Sequence, residues 1–434
     1  MTDKKKIAFY GILSSGHLNL CSAVASTLLN LYPSEIDVYF FVDQNWAEKL
    51  SKVDSRFKFE TFEYKNEDEK NFFAKFISQL EPLLSLSNLE KVKMIFNMSL
   101  DNIDSFIEKD KDVSKLIKKL KPDFILCDFL SHMPSVVGSK IPYSFIISAH
   151  PSVLDIEGFP YFGLDCGIDE KERIKAERLE LTEVFEATKK CYEKVYKDQN
   201  LKYDKDIPIY CPRSDNLSIY SYPKELDYFD DGIREKYKLL QVDAPIVPSR
   251  IPPSFELPEE FSKLPGKIIY VSLGSLFSLY HTKLQKLIDV LATLPYKYIV
   301  SKGPAGEKIN FPDNRFIGEN FVNQLAVLQV VDMMIAHGGN NTFTECFYFG
   351  VPSIIFPVMA DQVNNAKRIE ETGFGFQMNL LSYTDEELKD KIEKVLNNDT
   401  LIEKTKKVGQ RIRKENSLEV SVKKFYETFT QKFN

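Results

Sequence analysis

The stretch AHGGNNTFTECFYFGVPSIIFPVMADQVNNA, residues 336–366, predicts two successive strand-to-helix turns with polar groups clustered at the start of each helix. The apolar run DMMIA leads into it and is typical of a short buried strand. We expect a helix from near Asn341 to Gly350, a second buried strand in VPSIIFPV, and a further helix that opens at Asp361. Because a helix start offers free backbone N–H groups and a positive dipole end, the turn at His337 is suited to bind phosphate.

Glu345 is the only charged residue between His337 and Asp361, and it lies one turn after Asn341. A lone acid in so apolar a helix costs stability unless it is paired or bonded to the hydroxyl groups of a ligand. An acid early in a helix also interacts favourably with the helix dipole. The ligand interpretation and this structural one both stay open at this point.

Length and composition indicate a two-domain protein without nucleic acid as a partner. The chain has 434 residues, more than one ordinary core accommodates. The net charge is -6 and no basic stripe or arm occurs. Six cysteines show no CxxC pairing, which fits reduced thiols. The apolar run at the start is very short, and no later segment approaches the length of a membrane span. We therefore expect a cytoplasmic protein without a membrane anchor.

Strands and helices alternate along the first half of the chain, with strands in KKIAFYGIL, IDVYFFVD, FKFETFE, DFILCD and YSFIIS. This pattern predicts βαβ units and a parallel sheet. A proline-dense stretch then interrupts the pattern, and a fresh alternation begins at IIYVSLGS. We predict a first domain over 1–241, a linker over 242–258, a second domain over 259–413, and a final helix over 414–434 that packs back on the first domain.

His17 follows the first predicted strand directly and stands at the start of the first helix. A helix N-terminus disfavours an imidazolium by roughly 0.3–1 kcal/mol at exposed sites, so the ring tends to stay neutral, as a general base requires. Asp128 ends the strand DFILCD and would lie along the same edge of the sheet, where it could orient the ring. The alternative is that each side chain merely caps a helix, and the residues alone favour neither.

Two Asp-x-Asp strings, at 110–112 and 204–206, are of the kind that can hold a divalent metal at a nucleotide diphosphate. Both stand among lysines, so we interpret them as solvated surface. The sequence shows no zinc-ligand spacing and no glycine-rich dinucleotide or P-loop motif. We therefore expect neither a metal nor a resident cofactor.

The segment AHGGNNTFTE…GVPSIIFPVMADQVNNA resembles the signature of the family-1 UDP-glycosyltransferases. Its spacing from His337 through Glu345 to Asp361 is kept without a gap, and SSGHLN, PDFILCDF, IIYVSLGS and FVNQLAVL add matches over most of the chain. The resemblance implies an α/β protein of the GT-B fold, with two doubly wound Rossmann-like domains facing a cleft. It also implies that a UDP-sugar is the co-substrate.

The resemblance also implies roles for residues of the signature. The histidine, the second asparagine and the threonine of the HGGNNT turn would meet the diphosphate, and the second glycine would let the backbone approach it. Glu345 would bind the ribose, and Asp361 with Gln362 would bind the hydroxyl groups of the sugar. The full donor-binding set implied in this way is Gly274, Ser275, Phe321, Val322, Gln324, His337, Gly339, Asn340, Asn341, Thr342, Glu345, Asp361 and Gln362.

Three positions depart from the pattern of the family. Phe-Val-Asn-Gln at 321–324 stands where many members have Trp-x-Pro-Gln to stack on uracil, and the ring of Phe321 is smaller. Asn340 stands in the catalytic loop where many plant members carry Trp. Leu20 replaces a frequent proline, with little consequence expected.

The activity that the resemblance implies is inverting transfer of glucose from UDP-glucose to a hydroxyl of a small lipophilic acceptor such as a phenolic, flavonoid or xenobiotic. His17 would be the base and Asp128 its partner. The chain looks like the soluble bacterial and plant members of the family and like some soluble arthropod detoxification enzymes. We expect the acceptor site in the first domain, near Phe159, Tyr161, Phe162 and Met133. Alternatives are a GT-B enzyme that acts on a membrane lipid or epimerises UDP-N-acetylglucosamine, and a UDP-sugar or lipophile-binding protein without catalysis. A plain two-domain sugar-binding protein outside the family is a further alternative.

Overall fold

The computed structural model describes residues 4–63, 82–101, 103–202, 212–274 and 280–433. Ser275 and the second Asp-x-Asp string therefore lie outside the described residues. The chain divides into two compact units. The first comprises Met1–Val247 together with Ser417–Asn434, and the second comprises Pro248–Asn416. The chain passes from the first unit to the second between Val247 and Pro248, inside the proline-dense stretch.

The first unit is built on a parallel sheet whose described strands run in the order β3-β2-β1-β4-β5-β6-β7. Its strands are β1 (Lys5–Gly11), β2 (Ile36–Val42), β3 (Lys58–Thr61), β4 (Phe124–Asp128), β5 (Tyr143–Ile147), β6 (Ser218–Ser221) and β7 (Leu239–Val242). The central strands are almost wholly buried, which is typical of a sheet covered on both faces.

The second unit contains a parallel sheet with described strands in the order β10-β9-β8-β11-β12-β13. Its strands are β8 (Ile268–Ser272), β9 (Lys297–Ser301), β10 (Phe316–Glu319), β11 (Met333–Ala336), β12 (Ser353–Ile355) and β13 (Gly375–Gln377). The strands β6, β7 and β13 were not predicted from the sequence, because they are short and lack a long apolar run.

Helices connect the strands of both sheets. In the first unit they are α1 (Ser15–Leu31), α2 (Gln44–Val53), α3 (Asn88–Asp101), α4 (Ile103–Leu120), α5 (Pro134–Ser139), α6 (Lys171–Glu180), α7 (Thr182–Asp198) and α8 (Asp231–Lys236). In the second unit they are α9 (Glu259–Lys263), α10 (His281–Leu291), α11 (Gln324–Val327), α12 (Asn340–Phe349), α13 (Asp361–Glu371), α14 (Asp385–Leu396) and α15 (Asp399–Glu415), and α16 (Ser417–Phe433) follows.

The final helix α16 is part of the first unit. Phe425 and Phe429 both pack edge-on against Phe124 of the central strand β4. The ring of Tyr426 stacks on Tyr32, with 3.8 Å between the ring centroids. Burying aromatic side chains of this size stabilises the fold by about 1.5–3 kcal/mol each. The helix therefore completes the apolar core of the first unit.

The order of the strands reverses at the same point in both sheets. In the first sheet the reversal lies between β1 and β4, where Gly11 is the register partner of Asp128. In the second sheet it lies between β8 and β11, where Ser272 is the partner of Ala336. In open parallel sheets, ligands bind beyond the carboxyl ends of the strands at such a reversal. The fold therefore directs attention to the turns that follow these four strands.

The prediction that the first Asp-x-Asp string is solvated surface is wrong for Asp110. Its carboxylate is buried and accepts hydrogen bonds from the backbone N–H of Ser135, at 2.8 Å, and from the Ser135 hydroxyl. Burial raises the pKa of Asp110 to about 6, and the Ser135 hydrogen bonds lower it in part. The surrounding lysines misled the prediction because Lys111 and Lys115 are exposed, whereas Asp110 faces the core from the same helix α4. Asp112 is partly exposed and pairs with Lys115 at 2.7 Å.

Candidate active site

The first unit brings His17 and Asp128 together. His17 stands in the first turn of α1, and Asp128 is the last residue of β4. The Nδ1 atom of His17 lies 3.0 Å from Oδ1 of Asp128. The carboxylate is almost fully buried, whereas about a fifth of the His17 side chain is exposed. The pair therefore has a buried anchoring member and a member that reaches the surface.

Neighbouring groups fix the Asp128 carboxylate. Its second oxygen, Oδ2, lies 3.9 Å from the Sγ atom of Cys21, one helical turn beyond His17. Burial raises the pKa of the Cys21 thiol well above its ordinary value, and the charge of Asp128 adds to this effect, so the thiol stays protonated and donates. Gly11 leaves space on the other side, since a Cβ atom there would come within 3.1 Å of the Asp128 Cβ.

Ser148 is a third member of this group, and the sequence analysis missed it. Its Oγ atom lies 2.9 Å from Nδ1 of His17. Ser148 directly follows β5, the neighbour of β4 in the sheet. A polar residue just beyond the carboxyl end of a buried strand was the available signal, and it is the same signal that identified Asp128.

The chemical consequence of this arrangement concerns the proton on the imidazole. A neutral histidine carries one ring proton, and a carboxylate can only accept. With the proton on Nδ1, His17 donates to Asp128 and its Nε2 atom carries the lone pair. The pair can therefore take a proton at Nε2 and share the resulting positive charge with a buried carboxylate.

In the second unit, glycines enclose the ring of His337. A Cβ atom on Gly274 would lie 2.8 Å from the ring, and one on Gly339 would lie 2.7 Å from its Nε2 atom. Gly274 and Gly338 also have positive φ angles of 75° and 85°. Any other residue at 274 or 339 would displace the ring, so the HGG turn depends on these small residues.

His337 is neutral at physiological pH. Burial lowers its pKa to about 4, against the raising effect of a hydrogen bond with the backbone of Ser272. Within the described part of the chain, its Nδ1 atom is buried without a hydrogen-bond partner. The ring stands just before α12, whose first-turn N–H groups form the positive end of the helix dipole. The first-turn N–H groups of α12 can donate to a ligand oxygen at this helix start.

Gln324, Thr342 and Glu345 form a second polar group beside this turn. The Nε2 atom of Gln324 donates to Thr342 Oγ1 at 3.1 Å and also to a carboxylate oxygen of Glu345. Burial raises the pKa of Glu345 to about 7, and the bond from Gln324 lowers it in part. The partner of the lone acid is therefore a neutral amide, which holds the carboxylate in place without neutralising it.

The start of α13 meets the start of α12. The backbone N–H of Asn340 donates to Oδ2 of Asp361 at 2.8 Å. The amide oxygen of Gln362 accepts from the backbone N–H of Val358 at 3.0 Å, which leaves its NH₂ group as the donating side. Ala360, between them, has φ 53° and ψ -138°, a conformation that costs a non-glycine residue about 1–3 kcal/mol.

The remaining members of the predicted donor set are less tightly grouped. Phe321 is 66% exposed, so its ring face is open. Val322 is half-buried and packs against the apolar core of the second unit. Asn341 follows Asn340 in the first turn of α12. Asn365, which is not a member of that set, donates to the carbonyl oxygen of Gly338 at 2.9 Å.

The described residues contain no group of three or more His, Cys, Asp or Glu side chains placed to hold a metal ion. Among the helices in the described ranges, none is long and apolar enough to cross a membrane.

The chain is similar to known proteins in both sequence and fold. Residues 252–419 match the family described as UDP-glucoronosyl and UDP-glucosyl transferase. The chain is 28% identical to the uncharacterized UDP-glucosyltransferase YojK of Bacillus subtilis (strain 168) over 149 residues, which are 34% of this chain and 36% of that protein. It is 24% identical to the NDP-glycosyltransferase YjiC of Bacillus licheniformis over 388 residues, 86% of this chain and 84% of that protein.

Among solved structures, the glycotransferase of kitacinnamycin superposes with a TM-score of 0.72 at 16% sequence identity, covering 98% of this chain and all of that one. This likeness confirms the predicted α/β GT-B fold with two Rossmann-like domains. The second unit is therefore similar to the UDP-glucoronosyl and UDP-glucosyl transferase family, and the whole chain has the fold of GT-B glycosyltransferases.

Proposed function

We propose that the chain is an inverting hexosyltransferase that moves glucose from UDP-glucose to a hydroxyl group of a small lipophilic acceptor. The observation that carries the proposal is the pairing of His17 with the buried carboxylate of Asp128 at 3.0 Å, in a chain whose second unit matches a UDP-sugar transferase family. The pairing supports a proton acceptor, and the family match supports the donor class.

The donor would be held by the second unit. The first turn of α12 and the HGG turn offer backbone N–H groups to the diphosphate, and the neutral ring of His337 adds no charge of its own. Glu345, held by Gln324, would accept hydrogen bonds from the ribose hydroxyls. Asp361 and Gln362 would bind the hexose, and the open face of Phe321 would stack on uracil. Ser275 is assigned to the phosphates by resemblance alone.

The reaction would begin at the Nε2 atom of His17. This atom takes the proton of the acceptor hydroxyl while the acceptor oxygen forms a bond to the anomeric carbon. The bond from that carbon to the β-phosphate oxygen breaks, UDP leaves with the electron pair, and the configuration at carbon inverts. Asp128 stabilises the imidazolium that forms. The negative charge that develops on UDP is stabilised by the N-terminus of α12.

The acceptor would be bound by the first unit, and we propose phenolic, flavonoid or xenobiotic hydroxyl compounds. Of the predicted lining residues, Met133 and Tyr161 are buried in the core of this unit. Phe159 and Phe162 are only half-buried, and Phe159 packs edge-on against Phe229 with 5.4 Å between the centroids. The acceptor proposal therefore depends on Phe159 and Phe162.

The test is incubation of the chain with UDP-glucose, UDP-galactose, UDP-glucuronic acid and UDP-N-acetylglucosamine against a panel of phenols, flavonoids and hydroxylated terpenes. Conjugates are detected by mass spectrometry, and the anomeric configuration of each product is determined by NMR. The expected result is a conjugate of inverted configuration, with UDP-glucose the best donor. A panel of sterols and lipid extracts tests the lipid-directed alternative. Binding of UDP without a conjugate from any pair would support a protein that binds UDP-sugars without catalysis.

A further inference from the structure

The hydroxyl of Ser148 and the carboxylate of Asp128 both contact the same atom of His17. The distances to Nδ1 are 2.9 Å from Ser148 Oγ and 3.0 Å from Asp128 Oδ1. Ser148 is 5% exposed, so the contact is shielded from water. It comes from the turn after β5, and it therefore holds the ring from a different element than β4, which carries Asp128.

The position of the ring proton depends on whether Ser148 donates or accepts. If Ser148 accepts, both contacts favour a proton on Nδ1; if it donates, the two contacts oppose each other. A serine hydroxyl can do either, whereas a carboxylate can only accept. Donation from Ser148 to Nδ1 would move the ring proton to Nε2 and remove the lone pair that a base needs. Because Asp128 requires a proton on Nδ1, Ser148 must accept, and the Nδ1–H group is shared between two oxygens.

We propose that Ser148 is a positioning residue that, together with Asp128, keeps the proton of His17 on Nδ1 and the lone pair on Nε2. This inference rests on the proposed function, which gives His17 the role of base. When Nε2 takes a proton from an acceptor hydroxyl, the ring becomes positively charged and its Nδ1–H bonds strengthen. The Ser148 oxygen then stabilises the imidazolium as well as the plane of the ring.

The other titratable groups around His17 leave this effect visible. Asp128 faces the ring from β4, and Cys21 of α1 faces Asp128. Cys127 precedes Asp128 on the same strand. Burial raises the pKa of both thiols, so neither ionises in the range where a histidine titrates. A change in the titration of His17 in a Ser148 variant therefore does not arise from ionisation of either thiol.

The first experiment needs no substrate. The chain contains five histidines, so ¹⁵N-histidine labelling and NMR can follow His17, assigned by its loss in His17→Ala. We expect the Nδ1–H tautomer in the wild type. In Ser148→Ala, the pKa of His17 should fall by about half to one pH unit, which corresponds to one hydrogen bond. Ser148→Thr keeps the hydroxyl and should restore the wild-type titration.

The second experiment measures the pH profile of kcat/KM with the best donor and acceptor. Ser148→Ala should lower the plateau about three- to tenfold and move the acidic limb to lower pH, with Ser148→Thr close to the wild type. The matched control is Ser144→Ala on β5, the strand that Ser148 follows, because Ser144 is also buried but donates to the carbonyl oxygen of Leu217. It should leave the profile unchanged.

A Ser148→Ala titration and pH profile that match those of Ser144→Ala would overturn the inference and make Ser148 structural only. If the wild type forms no conjugate with any donor, the proposed function fails, and the NMR titration alone then decides whether Ser148 holds the tautomer. An Nε2–H tautomer of His17 in the wild type would also overturn the inference.

Discussion

Oδ2 of Asp361 accepts the backbone N–H of Asn340 at 2.8 Å, so the side chain that opens α13 caps the first residue of α12. Asp361→Ala should therefore lower the free energy of unfolding by about 0.5–2 kcal/mol, the usual value of a helix cap. Asp361→Asn keeps an acceptor oxygen and should lose less. Chemical denaturation of the three proteins measures this.

If Asp361 also binds the hexose, Asp361→Asn should weaken the binding of UDP-glucose more than the binding of UDP. Equal weakening of both would argue against that role.

The protein should be more stable with glycine in place of Ala360. Its φ of 53° with ψ of -138° costs about 1–3 kcal/mol for a side chain with Cβ, whereas the extra freedom of glycine in the unfolded chain costs roughly 0.5–1 kcal/mol. Ala360→Gly should raise the free energy of unfolding by about 1 kcal/mol. Ala366→Gly, inside α13, is the matched control and should lower it by at least about 1 kcal/mol. A destabilised Ala360→Gly would mean that the surrounding contacts relieve the strain.

Glu345 should make stability depend on pH between its folded and unfolded pKa values. A glutamate pKa of about 7 in the fold exceeds the ordinary value of 4.5, so the folded state binds the extra proton. The resulting stability is fully present below pH 4.5 and is lost as the pH rises through 7. Glu345→Gln should therefore gain stability relative to the wild type between pH 4.5 and 8, by up to about 3 kcal/mol. The exposed Glu319→Gln serves as the control and should show no such trend, and the same absence in Glu345→Gln would contradict the prediction.

Phe321 should contribute to nucleotide affinity without contributing to the fold. Its ring is 66% exposed, so replacing it disturbs little of the core. A stacked aromatic pair is worth about 0.5–1.5 kcal/mol. We therefore expect Phe321→Ala to weaken UDP binding about two- to tenfold, and Phe321→Trp to strengthen it, in calorimetric titrations. Leu381→Ala, an exposed apolar residue of the same unit, should leave the affinity unchanged. Unchanged UDP affinity in Phe321→Ala would mean that uracil does not stack on this ring.

His17→Ala should abolish most transfer and leave UDP binding intact. A positioned base accelerates proton transfer roughly a hundred- to ten-thousand-fold, and His17 lies in the first unit whereas the nucleotide is assigned to the second. Initial rates and the dissociation constant of UDP measure the two effects separately. Equal loss of activity and UDP affinity would remove His17 from the role of base.

The sequence predicted the parts of the fold that local pattern controls. The runs that became β1, β2 and β4 are long and apolar, and their burial follows from position in the sheet. β6, β7 and β13 have three or four residues each, and their identity as strands depends on a neighbouring strand that lies far away in the sequence. The charged stretch after Asp169 forms two helices, α6 and α7, on either side of Leu181, which is wholly buried in an apolar cluster.

The candidate site was predictable where the motif itself carries the contact. The enclosure of His337 by glycines and the bond between Gln324 and Glu345 join residues that the signature places together. The contact of Ser148 with His17 joins residues 131 apart, and it arises only because β5 is the neighbour of β4. The pattern within one segment cannot reveal a contact between residues so far apart in the sequence.

The final helix α16 gives the chain an unusual order of assembly during synthesis. The ribosome makes the seven strands of the first sheet early, yet Phe425 and Phe429, which cover Phe124, emerge only after the whole second unit has been made. The nascent first unit must therefore wait with part of its apolar surface exposed, whereas the second unit is continuous in sequence and can fold as soon as it is released. A chain truncated before Ser417 should accordingly aggregate through its first unit rather than its second.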